Sequence, residues 1–279
     1  MSRILSRVKT GCLAVFGPRV TAVAQAIRFA WKVKRNAKRD PEFSFVNAVL
    51  SSGDVAIDVG ANGADWTSHL SQAVGSGGSV LAFEADPYYA QATRLAIRIL
   101  GLRNVEFFSF GLSDSAGFAY LRVVRDDGTR MSGEGHVDRE ISSGDTAVHK
   151  IELKTLDSMI EEFPVLKRAR LLKIDVEGFE MFVLKGASRI LSEARPIVIL
   201  EVGNFERFGY QEADIVDLFR SLDYSWYAAI SADRLEPTDD SLQHPRAASV
   251  NRIFVPRERR RSEIEAFLCS KAGSVPLGL

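Results

Sequence analysis

Four carboxylates fall where short apolar runs give way to turns: Asp58 after Val55–Ile57, Glu84 after Val80–Phe83, and Asp175 with Glu177 after Leu171–Ile174. Carboxylates placed this way can accept from hydroxyls, pair with cations or take up a proton. Behind Asp58 the chain turns through Gly60-Ala61-Asn62-Gly63, a spacing that presents backbone amides at a strand's carboxyl end. Glu84 stands 26 residues after Asp58, near where an acid that holds two ribose hydroxyls follows a glycine turn. Each acid precedes a predicted helix and could simply cap it. Three such ends together favour a shared ligand, because ligands of an open α/β sheet bind at the carboxyl edge. Lys173, two residues before Asp175, can orient a substrate, depress a carboxylate's proton affinity, pair structurally or face solvent.

The elements that must position these groups alternate. Strands are expected at Val55–Val59, Ser79–Phe83, Val105–Phe110, Ala169–Ile174 and Ile197–Val202, with helices at Asp65–Val74, Tyr88–Leu100, Phe179–Leu191 and Gln211–Leu222. Strands at Tyr224–Ile230 and Ser249–Val255 complete the pattern. It predicts a doubly wound, mostly parallel, seven-stranded sheet. Two further strands, Phe118–Val124 and Ala147–Leu153, interrupt the rhythm as an inserted pair. The long polar loop between them, residues 125–145, has the length of a lid or binding loop. Thr155 is expected to cap a short helix ahead of Phe163.

The net charge of zero hides an asymmetry: residues 1–39 hold ten of the 36 Lys and Arg and none of the 36 Asp and Glu, leaving a body of net −10. A basic extension (1–40), a catalytic domain (41–256) and a basic C-terminal surface helix or tail (257–279) are the expected divisions. Residues 20–39 pattern as a helix with a crowded basic half, which suits either a solvated face or peripheral contact with an anionic membrane. The apolar run near Cys12 is broken by Gly17-Pro18, which argues against a secretory leader, and no stretch reaches the ~20 apolar residues of a span. Two cysteines far apart in sequence point to a reducing cytoplasm. No nucleic-acid partner is expected.

The turn has only part of G-x-G-x-x-G, and G-x-x-x-x-G-K-[ST] is absent, so pyrophosphate cradling fits poorly. Few glycines and a preceding acid suit a cofactor with a cationic amino-acid end and no phosphate, such as S-adenosylmethionine. At this point the chain resembles the FkbM-type methyltransferases, which are S-adenosylmethionine-dependent with a Rossmann-like class I fold. The resemblance rests on IDVGAN (Ile57–Asn62), VLAFEADP (Val80–Pro87), GLSDSAG (Gly111–Gly117), TLDSMI (Thr155–Ile160), LLKIDVEGFEMFVLKGA (Leu171–Ala187) and RPIVILEV (Arg195–Val202). It implies that Asp58, Gly60, Ala61 and Asn62 cradle the methionine part, that Glu84 with Ala85 holds the ribose, and that the region Gly111 to Asp114, with Leu112 and Ser113 between, borders the adenine. It also places Asp175 beside the methyl group. Two departures stand out: Ala64 replaces the family's usual glycine, which here comes one residue earlier at Gly63, and Gly111 sits where an adenine-binding acid is common.

The reaction so implied is in-line transfer of a methyl to a hydroxyl of a sugar, glycan, glycolipid or small natural product. An alcohol needs its proton removed, so a carboxylate base is expected: Asp175 or Glu177 first, then Glu201, with His136 in the long loop as a further candidate. A Mg²⁺ site from Asp175, Glu177 and Asp114 is the competing reading, set aside for want of a further ligand, so that no metal is expected. A nicotinamide-dependent oxidoreductase and a non-catalytic cofactor-binding module are the rival functions.

Overall fold

The structure is a computed structural model that describes residues 20–35, 40–123, 136–138, 148–203, 205–238, 242–259, 262–264 and 267. Most of the long polar loop, residues 1–19 and 36–39 of the basic extension, and most of the C-terminal tail lie outside the described residues. So does the side chain of His136.

The elements run α1 (20–34), α2 (Phe43–Val49), β1 (Val55–Val59), α3 (Asp65–Val74), β2 (Ser79–Phe83), α4 (Pro87–Leu100), β3 (Val105–Phe108), β4 (Gly111–Leu112), β5 (Gly117–Arg122), β6 (His136–Asp138), β7 (Val148–Lys154), β8 (Ala169–Ile174), α5 (Glu180–Lys185), β9 (Ile197–Glu201), α6 (Glu212–Ser221), β10 (Tyr224–Ser231), β11 (Arg234–Pro237) and β12 (Asn251–Pro256). The main sheet has the order β11-β10-β12-β9-β8-β1-β2-β3, with β3, β2, β1, β8 and β9 parallel and β12 antiparallel to its neighbours. From β1 the chain winds one way through β2 and β3, then returns to the other side at β8. The switch point therefore lies between β1 and β8, where a doubly wound sheet opens a crevice.

The two faces follow from period-two alternation. Val55, Ile57 and Val59 of β1 and Leu172 and Ile174 of β8 join one core, while Ala56, Leu171, Ile197 and Ile199 join the other with Trp66, Leu70 and Val74 of α3. Most of these strands are buried on both faces, as parallel strands covered by helices must be.

The expected doubly wound α/β fold is present, with five corrections. The main sheet has eight strands, because β11 adds an antiparallel edge through a tight reversal at Ala232-Asp233, a turn without glycine that apolar patterning does not flag. The inserted pair is part of a second, four-stranded sheet, β4-β7-β5-β6, with β6 lying inside the stretch expected to be loop. The helix expected after Thr155 is a single 3₁₀ turn, Asp157–Met159. That expected over Phe179–Leu191 stops at Lys185 and resumes as a short π-helical turn, Ile190–Ala194, where Gly186 lets the chain pass against the Ser113 carbonyl. At the C-terminal side, Phe267 is buried edge-on against Phe45, and buried Glu263 pairs with Arg170, so this segment packs on the body instead of lying on its surface.

Candidate active site

At the switch point the β1–α3 turn and the end of β8 are pressed together. Asp175 N donates to Val59 O at 3.0 Å. Gly60 adopts φ +88°, and a Cβ there would sit 1.8 Å from the Asp175 carbonyl oxygen. Glycine is thus required at 60 twice over, by conformation and by space. The turn continues left-handed through Asn62, Gly63 and Ala64, at φ 22°, 92° and 69°. The displaced glycine has a local cause. Gly63 backs onto the ring of Phe29 from α1, and a Cβ at 63 would stand 2.9 Å from Phe29 Cδ1. Its amide donates to Thr93 Oγ1 at 3.1 Å. Ala64 carries the left-handed strain instead, with its methyl fully buried.

Glu84 is fixed by the same turn. Asn62 N donates to Oε2 at 3.0 Å and Asp86 N to Oε1 at 2.9 Å, so each oxygen keeps a lone pair for a further donor. Burial pushes its proton affinity up, to a pKa of about 7, against the pull of these two amides. Ala85 sits beside it on the cavity wall.

The cavity bounded by Glu84 also takes in Asn62, Tyr89, Phe110, Leu112, Asp175 and Glu177. Its far wall is built by the second sheet, through Leu121, Val137, Ile151 and Leu153. That wall belongs to an insertion whose alternating pattern marks it as strand, but nothing in its sequence marks it as a binding surface. A second cleft of about 310 Å³ shares Gly60, Asn62, Tyr89 and Asp175 and adds Ala61, Trp66, Arg28, Phe29 and Lys32. The part of α1 that reads only as a basic extension thus furnishes one side of the site.

Asp58 does not line either space. It is buried on the α3 face of β1, where Thr67 Oγ1 donates to it at 2.5 Å and Lys173 is its register partner on β8. Burial raises its pKa to about 6. Ser113 and Asp114 also stay off the cavity wall: Ser113 is buried, its amide donates to Lys154 O, and its hydroxyl donates to Asp114 at 3.0 Å. Of the expected adenine neighbours, Gly111 and Leu112 reach the cavity.

Lys173 is buried, not solvated. Its Nζ lies 3.2 Å from Asp175 Oδ2 and 5.3 Å from the Trp66 ring centroid, and donates to Ile174 O at 3.2 Å. Asp175 also faces Glu201 at the end of β9. Burial and hydrogen bonding to Asp175, with Glu177 near, push Glu201 up to about 9, so that this pair holds a proton at neutral pH. Asp175, Glu177 and Glu201 offer carboxylate oxygens within 4.8 Å of one another, a spacing that a hard divalent cation could also bridge. Glu201, and not Asp114, is the third member of that group.

The turn bearing Asp175 and Glu177 is held by a residue whose role sequence reasoning missed. Glu180 is fully buried and accepts from Val176 N at 3.1 Å and Gly178 N at 3.2 Å, while the Tyr210 hydroxyl lies 3.2 Å from its other oxygen. Burial raises its pKa to about 7. The clamp keeps Glu177 at φ +55°, a strained position for a non-glycine residue. Its signal was present as the second acid in Glu177-Gly178-Phe179-Glu180.

The Methyltransferase FkbM domain matches residues 58–226. No curated protein matches the chain by sequence. Among solved structures, the methyltransferase FkbM from Methylobacillus flagellatus is similar at 16% identity and a TM-score of 0.46, over 75% of this chain and 47% of that one. The chain thus spans about half the length of that protein. A SAM-dependent methyltransferase from Aquifex aeolicus is similar at 13% identity and a TM-score of 0.41, over 81% and 96% of the two chains. A SAM-dependent O-methyltransferase from Thermotoga maritima is similar at 16% identity and a TM-score of 0.40, over 81% and 69%.

Proposed function

We propose that this chain, which belongs to the FkbM methyltransferase domain family, uses S-adenosylmethionine to methylate a hydroxyl group. One observation carries the reading: Glu84, the glycine turn and the Asp175/Glu177 pair all border one cavity at the switch point of the sheet. The residues fit the cofactor. Glu84 retains acceptor capacity for a ribose, and Phe110, Leu112, Ile151 and Leu153 supply an apolar slot for an adenine. Gly60 lets the glycine turn close against the Asp175 carbonyl, so that the turn and the Asp175/Glu177 segment face the same cavity. Arg28 brings positive charge to the adjoining cleft, where Lys32 is paired with Asp65, on the side suited to the methionine carboxylate. When bound, the cofactor supplies an activated methyl group on a sulfonium.

The protein's own task is then to orient the acceptor and take its proton. Asp175 lies between the Lys173 ammonium and the proton shared with Glu201, and both stabilise its anion. That makes it a fixed negative charge more than a base. Glu177, two residues further on and also on the cavity wall, is the better acceptor for a hydroxyl proton. Glu201, whose proton affinity burial and Asp175 raise, is hydrogen-bonded to Asp175 and is the less apt base. The acceptor class, a sugar or other small-molecule hydroxyl, rests on the carboxylate cluster and on the resemblance.

The test is methyl transfer from methyl-labelled S-adenosylmethionine to a panel of saccharide and polyol acceptors. Glu177→Gln should lower kcat by about 10²-fold or more, with S-adenosylhomocysteine affinity within a few fold of wild type. Unchanged kcat in Glu177→Gln removes it as the base. Transfer to amine acceptors alone would overturn the hydroxyl assignment.

A further inference from the structure

α1 has two apolar faces. Its inner face, Ala22, Ala26, Phe29 and Ala30, is buried, and Ala26 and Phe29 pack with Tyr88, Tyr89, Ala92 and Ala96 of α4. Its outer face shows Val20, Val23, Ile27 and Trp31, which are 56, 46, 57 and 52% exposed. The spacing of three, four and four residues aligns these four side chains along one stripe of the helix. Over residues 20–34 such a stripe runs about 20 Å. A soluble surface gains nothing from four large apolar side chains aligned in water.

The charges around the stripe select its partner. Arg28, Lys34 and Arg35 are exposed beside it, and no acid occurs anywhere in residues 1–39. Arg35 lies over the Trp31 ring, 4.2 Å from its centroid, at the helix's C-terminal end. Aromatic and aliphatic side chains bounded by basic ones are the composition of helices that lie in a headgroup region with their apolar face among acyl chains. Residues 40–279 carry a net charge of −10, so the acid-free stretch formed by this helix and its flanks is the part of the chain that an anionic surface attracts most strongly. No described helix is long and apolar enough to cross a membrane.

We infer that the outer stripe of α1 docks the protein on an anionic lipid surface, with Val20, Val23, Ile27 and Trp31 inserted and Lys34 and Arg35 at the phosphates. The inference stands apart from the chemistry proposed above. It has a consequence for that chemistry, because Arg28, Phe29 and Lys32 of the same helix border the second cleft. Docking would hold that cleft beside the lipid surface.

The full-length protein can be tested by co-sedimentation with phosphatidylcholine vesicles, with and without phosphatidylglycerol, and by tryptophan emission. Trp66 is buried and Trp226 half-buried, so Trp31 is the exposed reporter. Binding to the anionic vesicles with a blue shift is expected, and Ile27→Ser/Trp31→Ser should weaken binding by roughly tenfold or more. Lys34→Glu/Arg35→Glu, which leaves the stripe intact, should weaken it comparably. All four side chains point outward, so unfolding midpoints should match wild type. Absence of vesicle binding by the wild type overturns the inference, as does binding that the serine variant retains in full. A dimer in sedimentation that the serine variant abolishes would assign the face to a second copy and overturn it too.

Discussion

At the residue scale, the site is governed by buried carboxylates whose proton affinities are set by burial first and by neighbours second. Glu84 illustrates this: two backbone amides favour its anion, yet burial outweighs them and raises its pKa to about 7. On the proposed reading an ionised Glu84 would accept from both ribose hydroxyls, whereas a protonated one would lose acceptor capacity. Affinity for S-adenosylhomocysteine should therefore rise as pH rises through about 7, and Glu84→Gln should flatten that profile; titration calorimetry at several pH values measures both. Asp175 and Glu201 divide the work differently from what their sequence positions suggest. Both end a strand beside the cleft, but Asp175 meets Lys173 at 3.2 Å, while burial outweighs the pull of Lys173 on Glu201. Asp175→Asn should accordingly weaken cofactor binding as well as turnover, in contrast to the kcat-only loss expected of Glu177→Gln. Parallel KM and kcat determinations separate the two.

At the element scale, the architecture depends on two turns in contact and on a helix laid over them. Gly60→Ala would place a methyl against the Asp175 carbonyl at φ +88°, and should cost more than the roughly 1–2 kcal/mol of an ordinary left-handed L residue. An unchanged thermal midpoint would show that the turns are not pressed together. Phe29→Ala should cost about 3 kcal/mol and loosen the glycine turn, lowering S-adenosylhomocysteine affinity with it. The parallel strands, their order along the chain and the acids at their ends were legible in the sequence, because two-sided burial writes itself as continuous apolar runs. Three things were not. Asp58 stands at a strand end like the others, but the parity of β1 turns its side chain toward Thr67 and away from the cavity. The second sheet's contribution to the cavity depends on tertiary packing of Leu121, Ile151 and Leu153, residues indistinguishable by type from any strand core. The place of α1 over the turn is signalled only by Phe29 and Gly63, 34 residues apart.

At the scale of the whole molecule, three buried acids tie stability to pH in one direction. Asp58, Glu84 and Glu180 are raised to about 6, 7 and 7 in the folded chain, from 3.8, 4.5 and 4.5. Between these limits the folded state keeps protons that the unfolded state has released, so their favourable contribution is full below about pH 4 and is lost as pH climbs to about 7. Urea midpoints of the ligand-free protein should fall across that window, opposite in sign to acid denaturation driven by salt-bridged carboxylates. A flat profile would mean that these groups are solvated in solution. The central claim is that one cavity at the β1–β8 switch point holds the adenosine of the methyl donor through Glu84. Calorimetric titration of the full-length protein with S-adenosylhomocysteine, repeated with Glu84→Ala, tests it most directly. A single saturable site, weakened roughly tenfold or more by the substitution, is the predicted result. Absence of binding by the wild type, or equal affinity in Glu84→Ala, would contradict it.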